Sequence, residues 1–261
     1  MSPAIIIKDL VTYYGGRLIL DRINLTIENG ETVAILGQSG CGKTTLLRHI
    51  MGLHRPTSGE VYIKGKNIFE IDEEEFNEIR KRMGVLFQSG ALFNSMTVGD
   101  NVALPLREHT KLDESIIKIM IRMKLKLVGL SGFEHLMPNQ ISGGMKKRAG
   151  LARALAMDPE ILLCDEPSAG LDPIIAAGID NLILQLDKVF KMTIIVVTHE
   201  IKSAFTVANK IVILFKGKVI SIGKPDEIKN SDDSYIRKFL EGIASEEEYD
   251  AETYLNSLMY D

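Results

Sequence analysis

No tryptophan occurs in this 261-residue chain, and there are only two cysteines, Cys41 and Cys164. Two cysteines cannot build a disulfide framework, and these sit in no metal-ligand spacing, so they read as small buried hydrophobes of a reducing compartment. No stretch approaches the roughly 20 apolar residues that a membrane-spanning helix requires. Residues 1–10 carry three consecutive isoleucines and then charges, without the longer apolar run behind a basic end that marks a secretory signal. An excess of positive charge is also missing: 31 Lys and Arg stand against 35 Asp and Glu, a net charge of -4. That balance argues against nucleic acid as a partner. Internal repeats and low-complexity tracts are absent too. What remains is 45% apolar and 25% charged, the composition of a soluble globular domain with a full core. A membrane role is therefore expected to come only through a partner.

Residues 4–27 read as two or three strands around a turn at Gly15-Gly16. Short apolar runs follow at 32–36, 83–87, 161–164, 193–197 and 211–215, most of them rich in Val and Ile. Parallel strands buried on both faces look like this, although periodicity alone also admits short helix segments. Helical stretches lie between several of them, at 43–51, 143–157 and 173–190. Alternating strands and helices predict an α/β fold around a parallel sheet. Residues 95–140 break the rhythm with two helical patterns, 98–106 and 113–128, and no strand between them, which reads as an inserted helical subdomain. The end, 241–261, is acidic and lacks Lys and Arg; Tyr254, Leu255 and Leu258 fall on one helical face, but a solvated tail is the expectation.

The chemistry begins at Gly37-Gln38-Ser39-Gly40-Cys41-Gly42-Lys43-Thr44, which follows an expected strand and opens an expected helix. This is the G-x-x-x-x-G-K-[ST] phosphate loop in the context it requires. Glycines let successive backbone N–H groups turn inward on phosphate oxygens, and the helix N-terminus adds a favourable dipole. Lys43 is expected to reach the β- and γ-phosphates and Thr44 to ligate Mg²⁺, with Thr45 placed for a further phosphate contact.

The apolar run at 161–164 ends in Asp165-Glu166. Neighbouring carboxylates at a buried strand end are costly unless something cationic or catalytic uses them. Asp165 is expected to hold Mg²⁺ and Glu166 to face the γ-phosphate as general base. His199 follows the run at 193–197, and in open α/β sheets ligands bind beyond the C-terminal strand ends. It is read as a γ-phosphate contact, while His49, His54, His109 and His135 are read as structural. Gln88, after 85–87, is expected near Mg²⁺ or the attacking water.

Ile141-Ser142-Gly143-Gly144-Met145 leads into a helix about 20 residues before Asp165-Glu166. This resembles the signature motif of the ABC ATPases, usually written LSGGQ, with Ile141 for Leu and Met145 for Gln as departures. In family order stand the phosphate loop, Gln88 as the Q-loop, Asp165-Glu166, Ser168 to Asp172 as the D-loop and His199 as the switch histidine. The resemblance covers about residues 4–230. It implies a P-loop NTPase (RecA-like) core with an N-terminal antiparallel β subdomain and a helical subdomain at about 95–145, within an ATPase domain of 1–245 followed by a tail at 246–261. It also implies Tyr14 stacked on adenine, with Tyr13 as neighbouring competitor, and two chains packed head to tail. Each ATP would touch the cradle of one chain and Ser142, Gly143 and Gly144 of the other.

Residues 85–98, 101–109 and 142–149 are similar to one branch in particular, the ATPases of MCE-linked (Mla or toluene-tolerance type) phospholipid transporters. That resemblance implies an integral membrane permease, an MCE-domain lipid-binding protein and a small STAS-domain subunit as partners. It places the chain at the cytoplasmic face of the inner membrane. Ala91-Leu92-Phe93 is read as part of, or beside, the permease contact. A small P-loop kinase is the rival enzyme class, but it leaves Ser142 and the Asp165-Glu166-His199 set unused. A DNA-repair or translation ABC protein is the rival binding machine; such proteins usually carry paired cassettes, a coiled-coil insertion or a basic face.

Overall fold

The computed structural model describes residues 2–243, so the acidic tail with Tyr254, Leu255 and Leu258 lies outside the described residues. Strands β1 (Ile5–Tyr14) and β2 (Arg17–Ile27) form an antiparallel hairpin. It turns at Gly15 and Gly16, both with positive φ, as a two-residue loop matched to strand twist requires. β3 (Thr32–Leu36) then enters a second sheet and runs into helix α1 (Lys43–Ile50). β4 (Ser58–Ile63) returns to pair with β1 and carries the two-residue β5 (Lys66–Asn67). The result is the antiparallel β subdomain expected at the N-terminus.

After α2 (Glu73–Lys81) comes β6 (Met83–Leu86), and then the helical region: α3 (Val98–His109), α4 (Glu114–Leu127), a 3₁₀ turn at Pro138–Gln140 and α5 (Gly143–Ala154). β7 (Ile161–Asp165), α6 (Pro173–Phe190), β8 (Thr193–Thr198), α7 (Ile201–Val207) and β9 (Lys210–Phe215) restore the alternation. β10 (Lys218–Gly223), α8 (Pro225–Lys229) and α9 (Ser234–Glu241) close it. The main sheet has the order β10-β9-β3-β8-β7-β6. Its pairs from β9 to β6 are parallel, and β10 is an antiparallel edge.

The continuous apolar runs are explained by burial on both faces. In β7, Ile161 and Leu163 face the core shared with the antiparallel sheet and α1, while Leu162 and Cys164 face the helices α3 to α6. β8 repeats this with Ile195 and Val197 on one side and Ile194 and Val196 on the other. Each such side chain contributes about 1.5–3 kcal/mol on burial, so the central strands are fixed by both layers. Pro105 sits inside α3 near its C-terminal end, and Asn101, fully buried, ties the preceding loop to this helix through Phe93 and Met96.

Helix α2 has a weak apolar signal, because only Phe76 is buried and Ile79 is partly buried against the core; its charges cover the surface beside β6. The strand β6 approaches α5 closely: a Cβ on Gly84 would lie 2.3 Å from the carbonyl oxygen of Ala154. Gly84→Val is therefore expected to destabilise the protein by about 1–3 kcal/mol through overpacking, read as a lower urea midpoint with an unchanged slope.

Candidate functional site

The parallel register brings the C-terminal ends of four strands to one edge. Leu36 pairs with Thr198, Asp165 with Val197, and Leu86 with Cys164. The phosphate loop, His199, Asp165-Glu166 and Gln88 follow those ends directly, and β8 lies between β3 and β7.

The loop's glycines are required by its path. Gly42 caps α1 with φ 106, and a Cβ there would meet Leu20 Cδ2 at 2.7 Å. Gly37 passes so close to β9 that a Cβ would lie 2.2 Å from Leu214 O. The loop closes around Lys43, whose buried Nζ donates to Gly37 O at 2.8 Å and Gln38 O at 2.9 Å. An ammonium held by neutral carbonyls keeps its charge for an anion. Cys41 is buried and its thiol is pushed up by desolvation; Cys164, fully buried, is pushed up to about 12. Both thiols are therefore inert at neutral pH, in line with their reading as packing residues.

Thr44 Oγ1 donates to Asp165 Oδ1 at 3.2 Å. Burial raises the Asp165 carboxyl above its ordinary range, opposed by the Thr44 bond and by Arg48 and Lys43. A hydroxyl and a carboxylate side by side are hard oxygen donors of the kind that Mg²⁺ takes, and a desolvated carboxylate gains from such a cation. The donor set thus fits the ion.

Glu166 has the most constrained backbone in the site. Its φ is +49, a left-handed conformation that costs a non-glycine residue about 1–2 kcal/mol. Its N–H donates to Val197 O at 2.8 Å, and its carbonyl accepts from Lys147 Nζ at 2.7 Å and from Ala169 N at 3.3 Å. The side chain lies against β8: Oε1 is 2.9 Å from His199 Nδ1, and Oε2 accepts from Thr198 Oγ1 at 3.3 Å and His199 N at 3.4 Å. Lys43 Nζ is 4.0 Å from Oε1. A carboxylate only accepts, so His199 carries its proton on Nδ1.

Lys43, Thr44, Asp165, Glu166 and His199 are thus brought together. Gln88 is exposed just past β6. Gly40 and Gly42 have positive φ in the cradle, and Thr45 is the third residue of α1. Ser39, Gly40 and Cys41, with Arg17 and Leu18 of the hairpin, line a cavity of 280 Å³ beside the loop. Tyr14 is 40% exposed, with its ring edge-on to His54 at 5.7 Å between centroids. His49 is structural as expected: it is fully buried between Thr12 Oγ1 and His54 O, and burial lowers its pKa. Ser142 caps α5, accepting from Met145 N, and both Ser142 and Gly143 face solvent. Gly144 packs on α6, where a Cβ would meet Ile175 Cγ2 at 2.5 Å.

The sequence reading missed three supports. Lys147, buried with its pKa lowered by desolvation, reaches the Glu166 carbonyl. Lys146-Lys147-Arg148 looks like a solvated charge run, yet Gly144, Lys147 and Leu151 share one helical stripe, which signals the inward position. Arg153 holds the loop after Gln88, donating to Ala91 O and Gly90 O. Ser203 donates to buried Asp180 at 2.7 Å and accepts from Ser168 at 3.4 Å, which anchors the D-loop.

Residues 20–169 match the ABC transporter family. The chain is 42% identical over 255 residues to the intermembrane phospholipid transport system ATP-binding protein MlaF of Haemophilus influenzae, covering 97% of each protein. It is 45% identical over 258 residues to the probable ribonucleotide transport ATP-binding protein mkl of Mycobacterium leprae, covering 97% of this chain and 74% of that one. Among solved structures, a dimeric ATP-binding cassette in a post-hydrolysis state bound to ADP and Pi is 34% identical, with TM-score 0.78 and coverage of 85% and 98%. The cbiO1 protein of Clostridium perfringens, part of the ABC transporter complex cbiONQ, is 30% identical, with TM-score 0.81 and coverage of 92% and 96%. Strand-end cradle, paired carboxylates and a helix with its Ser142-Gly143 start exposed meet in one architecture, and the chain belongs to the ABC transporter family as one of its ATP-hydrolysing subunits.

Proposed function

We propose that this chain powers phospholipid transport between inner and outer membrane as a head-to-tail pair bound to a separate permease at the cytoplasmic face of the inner membrane. The observation that carries the two-chain reading is the placement of Ser142 and Gly143, exposed at the start of α5, while Lys43, Asp165 and Glu166 are buried at the strand ends. A hydroxyl and backbone N–H groups at a helix N-terminus suit a γ-phosphate, and from the outer side of the chain they are free to serve a nucleotide held by another copy.

In this reading the amides of residues 37–45 and the Lys43 ammonium hold the phosphates, and Tyr14 stacks on adenine. Thr44, Asp165 and Gln88 would hold Mg²⁺, which neutralises charge on the β- and γ-oxygens when bound. Glu166 Oε1 takes the proton of the attacking water, and His199 fixes the rotamer of that carboxylate through Nδ1 and contacts the γ-phosphate.

The cargo never meets this subunit, so its assignment rests on likeness: the relative from H. influenzae is named for phospholipid transport and is matched along 97% of both chains. The permease is expected in a groove of 1200 Å³ bordered by α2, the end of β6, α3 and α5. Phe93 and Phe87 are 51% and 37% exposed there, beside Pro105 and Met157. No helix among the described residues is long and apolar enough to cross a membrane, which fits a peripheral subunit. An MCE-domain lipid-binding protein and a STAS-domain subunit complete the proposed assembly.

Glu166→Gln is expected to retain ATP binding while lowering turnover by about 10²–10⁴-fold, measured as phosphate release beside equilibrium nucleotide binding. Mixing Ser142→Arg with Glu166→Gln subunits puts both defects at one nucleotide in half-mixed dimers and leaves the other site whole. Turnover above that of either pure variant is expected; none would sink the shared site. Affinity purification of the tagged chain from membranes, followed by mass spectrometry, is expected to recover an MCE-type permease complex with phospholipid. Recovery of a sugar or amino-acid permease instead would overturn the cargo.

A further inference from the structure

We propose that Lys147 is a positioning residue for hydrolysis: from the helix that presents Ser142, its buried ammonium sets the backbone of Glu166. Each chain thereby ties the cap it lends to its partner's nucleotide to the carboxylate that works on its own. The inference rests on the two-chain site and the role of Glu166 proposed above.

Lys147 is 5% exposed on α5, and its Nζ donates to the Glu166 carbonyl at 2.7 Å. Burying an ammonium is costly, and the cost is offset by hydrogen bonding and by nearby opposite charge. Three carboxylates, Glu166, Glu200 and Asp165, lie close enough to favour its charged form, yet the bond goes to a main-chain oxygen. That choice has a geometric consequence. The peptide before Glu166 is pinned by its N–H on Val197 O, and the peptide after it by Lys147. With both planes held, φ stays at +49, and the carboxylate stays aimed at His199 Nδ1 and Thr198 Oγ1. The remaining bond to that carbonyl, from Ala169 N at 3.3 Å, is the longer one.

The same helix starts with the Ser142 cap and packs Gly144 on Ile175 of α6. Five residues after the cap it holds the catalytic peptide, and eleven residues after the cap Arg153 holds the Gly90 and Ala91 carbonyls beside Gln88. A rigid helix gripping all three transmits a shift of its N-terminus, caused by a nucleotide bound to the partner, to Glu166 of its own chain.

The test uses the full-length chain. Lys147→Met keeps the length and apolar stem and removes the donor. Turnover at saturating ATP is expected to fall by about 10–100-fold, the loss that a small misplacement of a reacting group brings. ATP binding and KM are expected to stay within about threefold, as for an interaction used only in the transition state. Lys147→Arg, which retains a cationic donor, is expected to recover part of the loss. In mixed dimers, Lys147→Met with Ser142→Arg leaves one site whole and regains turnover, whereas Lys147→Met with Glu166→Gln spoils both sites and does not. Wild-type turnover in Lys147→Met, a joint loss of ATP binding, or the reverse mixing pattern would overturn the proposal. If Lys147→Met fails to fold, Lys147→Gln is read by the same mixing pattern. If Ser142→Arg and Glu166→Gln fail to complement, the shared site falls, while the split between kcat and KM still reads the role of Lys147.

Discussion

The parallel hydrogen-bond register of β3, β8, β7 and β6 is the constraint on which this molecule depends. It fixes Leu36 beside Thr198 and Asp165 beside Val197, so residues more than a hundred positions apart end their strands at one edge. Every chemical group of the cradle is a short continuation of one of these strands. Register in turn is fixed by burial on both faces, because a one-residue slip would exchange the side chains facing the antiparallel sheet for those facing the helices. Thus the positions of Asp165 and Glu166 are set by the packing of Ile161 through Cys164.

At that edge the site concentrates charge that would be unfavourable one group at a time. Lys43 and Lys147 are buried cations, and Asp165 and Glu166 are buried anions. Neither lysine forms a close ion pair with the carboxylates: Lys43 lies 4.0 Å from Glu166, and both ammonium groups donate instead to main-chain carbonyls. The Lys43 charge consequently remains available to phosphate, and the Asp165 carboxylate, destabilised by burial, gains from a divalent ion. The nucleotide completes an electrostatic arrangement that the protein leaves partly unbalanced.

Helix α5 links this site to the rest of the fold. It presents Ser142 outward, holds the Glu166 peptide through Lys147 and grips the Gly90 and Ala91 carbonyls through Arg153. The groove with Phe87 and Phe93 borders the same helix. The Ser142 turn, the Glu166 peptide and the groove are thus held by one rigid element, whereas α4 and α3 support it from behind through the core of Val102, Leu106 and Leu125.

The main strands, the helices at 43 and 173 and the cradle motif were legible because their signals are local: apolar runs of strand length, a glycine loop before a helix, and carboxylates at a strand end. Helix α2 and strand β4 were not, since α2 has only Phe76 and Ile79 to mark its inner face among charged residues, and β4 begins with exposed Ser58 and Gly59, which leaves Val61 and Ile63 as a short alternation. The identity of the groups at the phosphate edge is likewise written in the chain, because phosphate, Mg²⁺ and a water nucleophile each demand particular atoms. Their arrangement is not. The left-handed Glu166, the inward turn of Lys147 from a basic triplet and the Arg153 grip on a distant loop each depend on partners brought near by packing. A backbone conformation that costs energy locally persists only where such contacts surround it, and no window of sequence contains both halves of the bond.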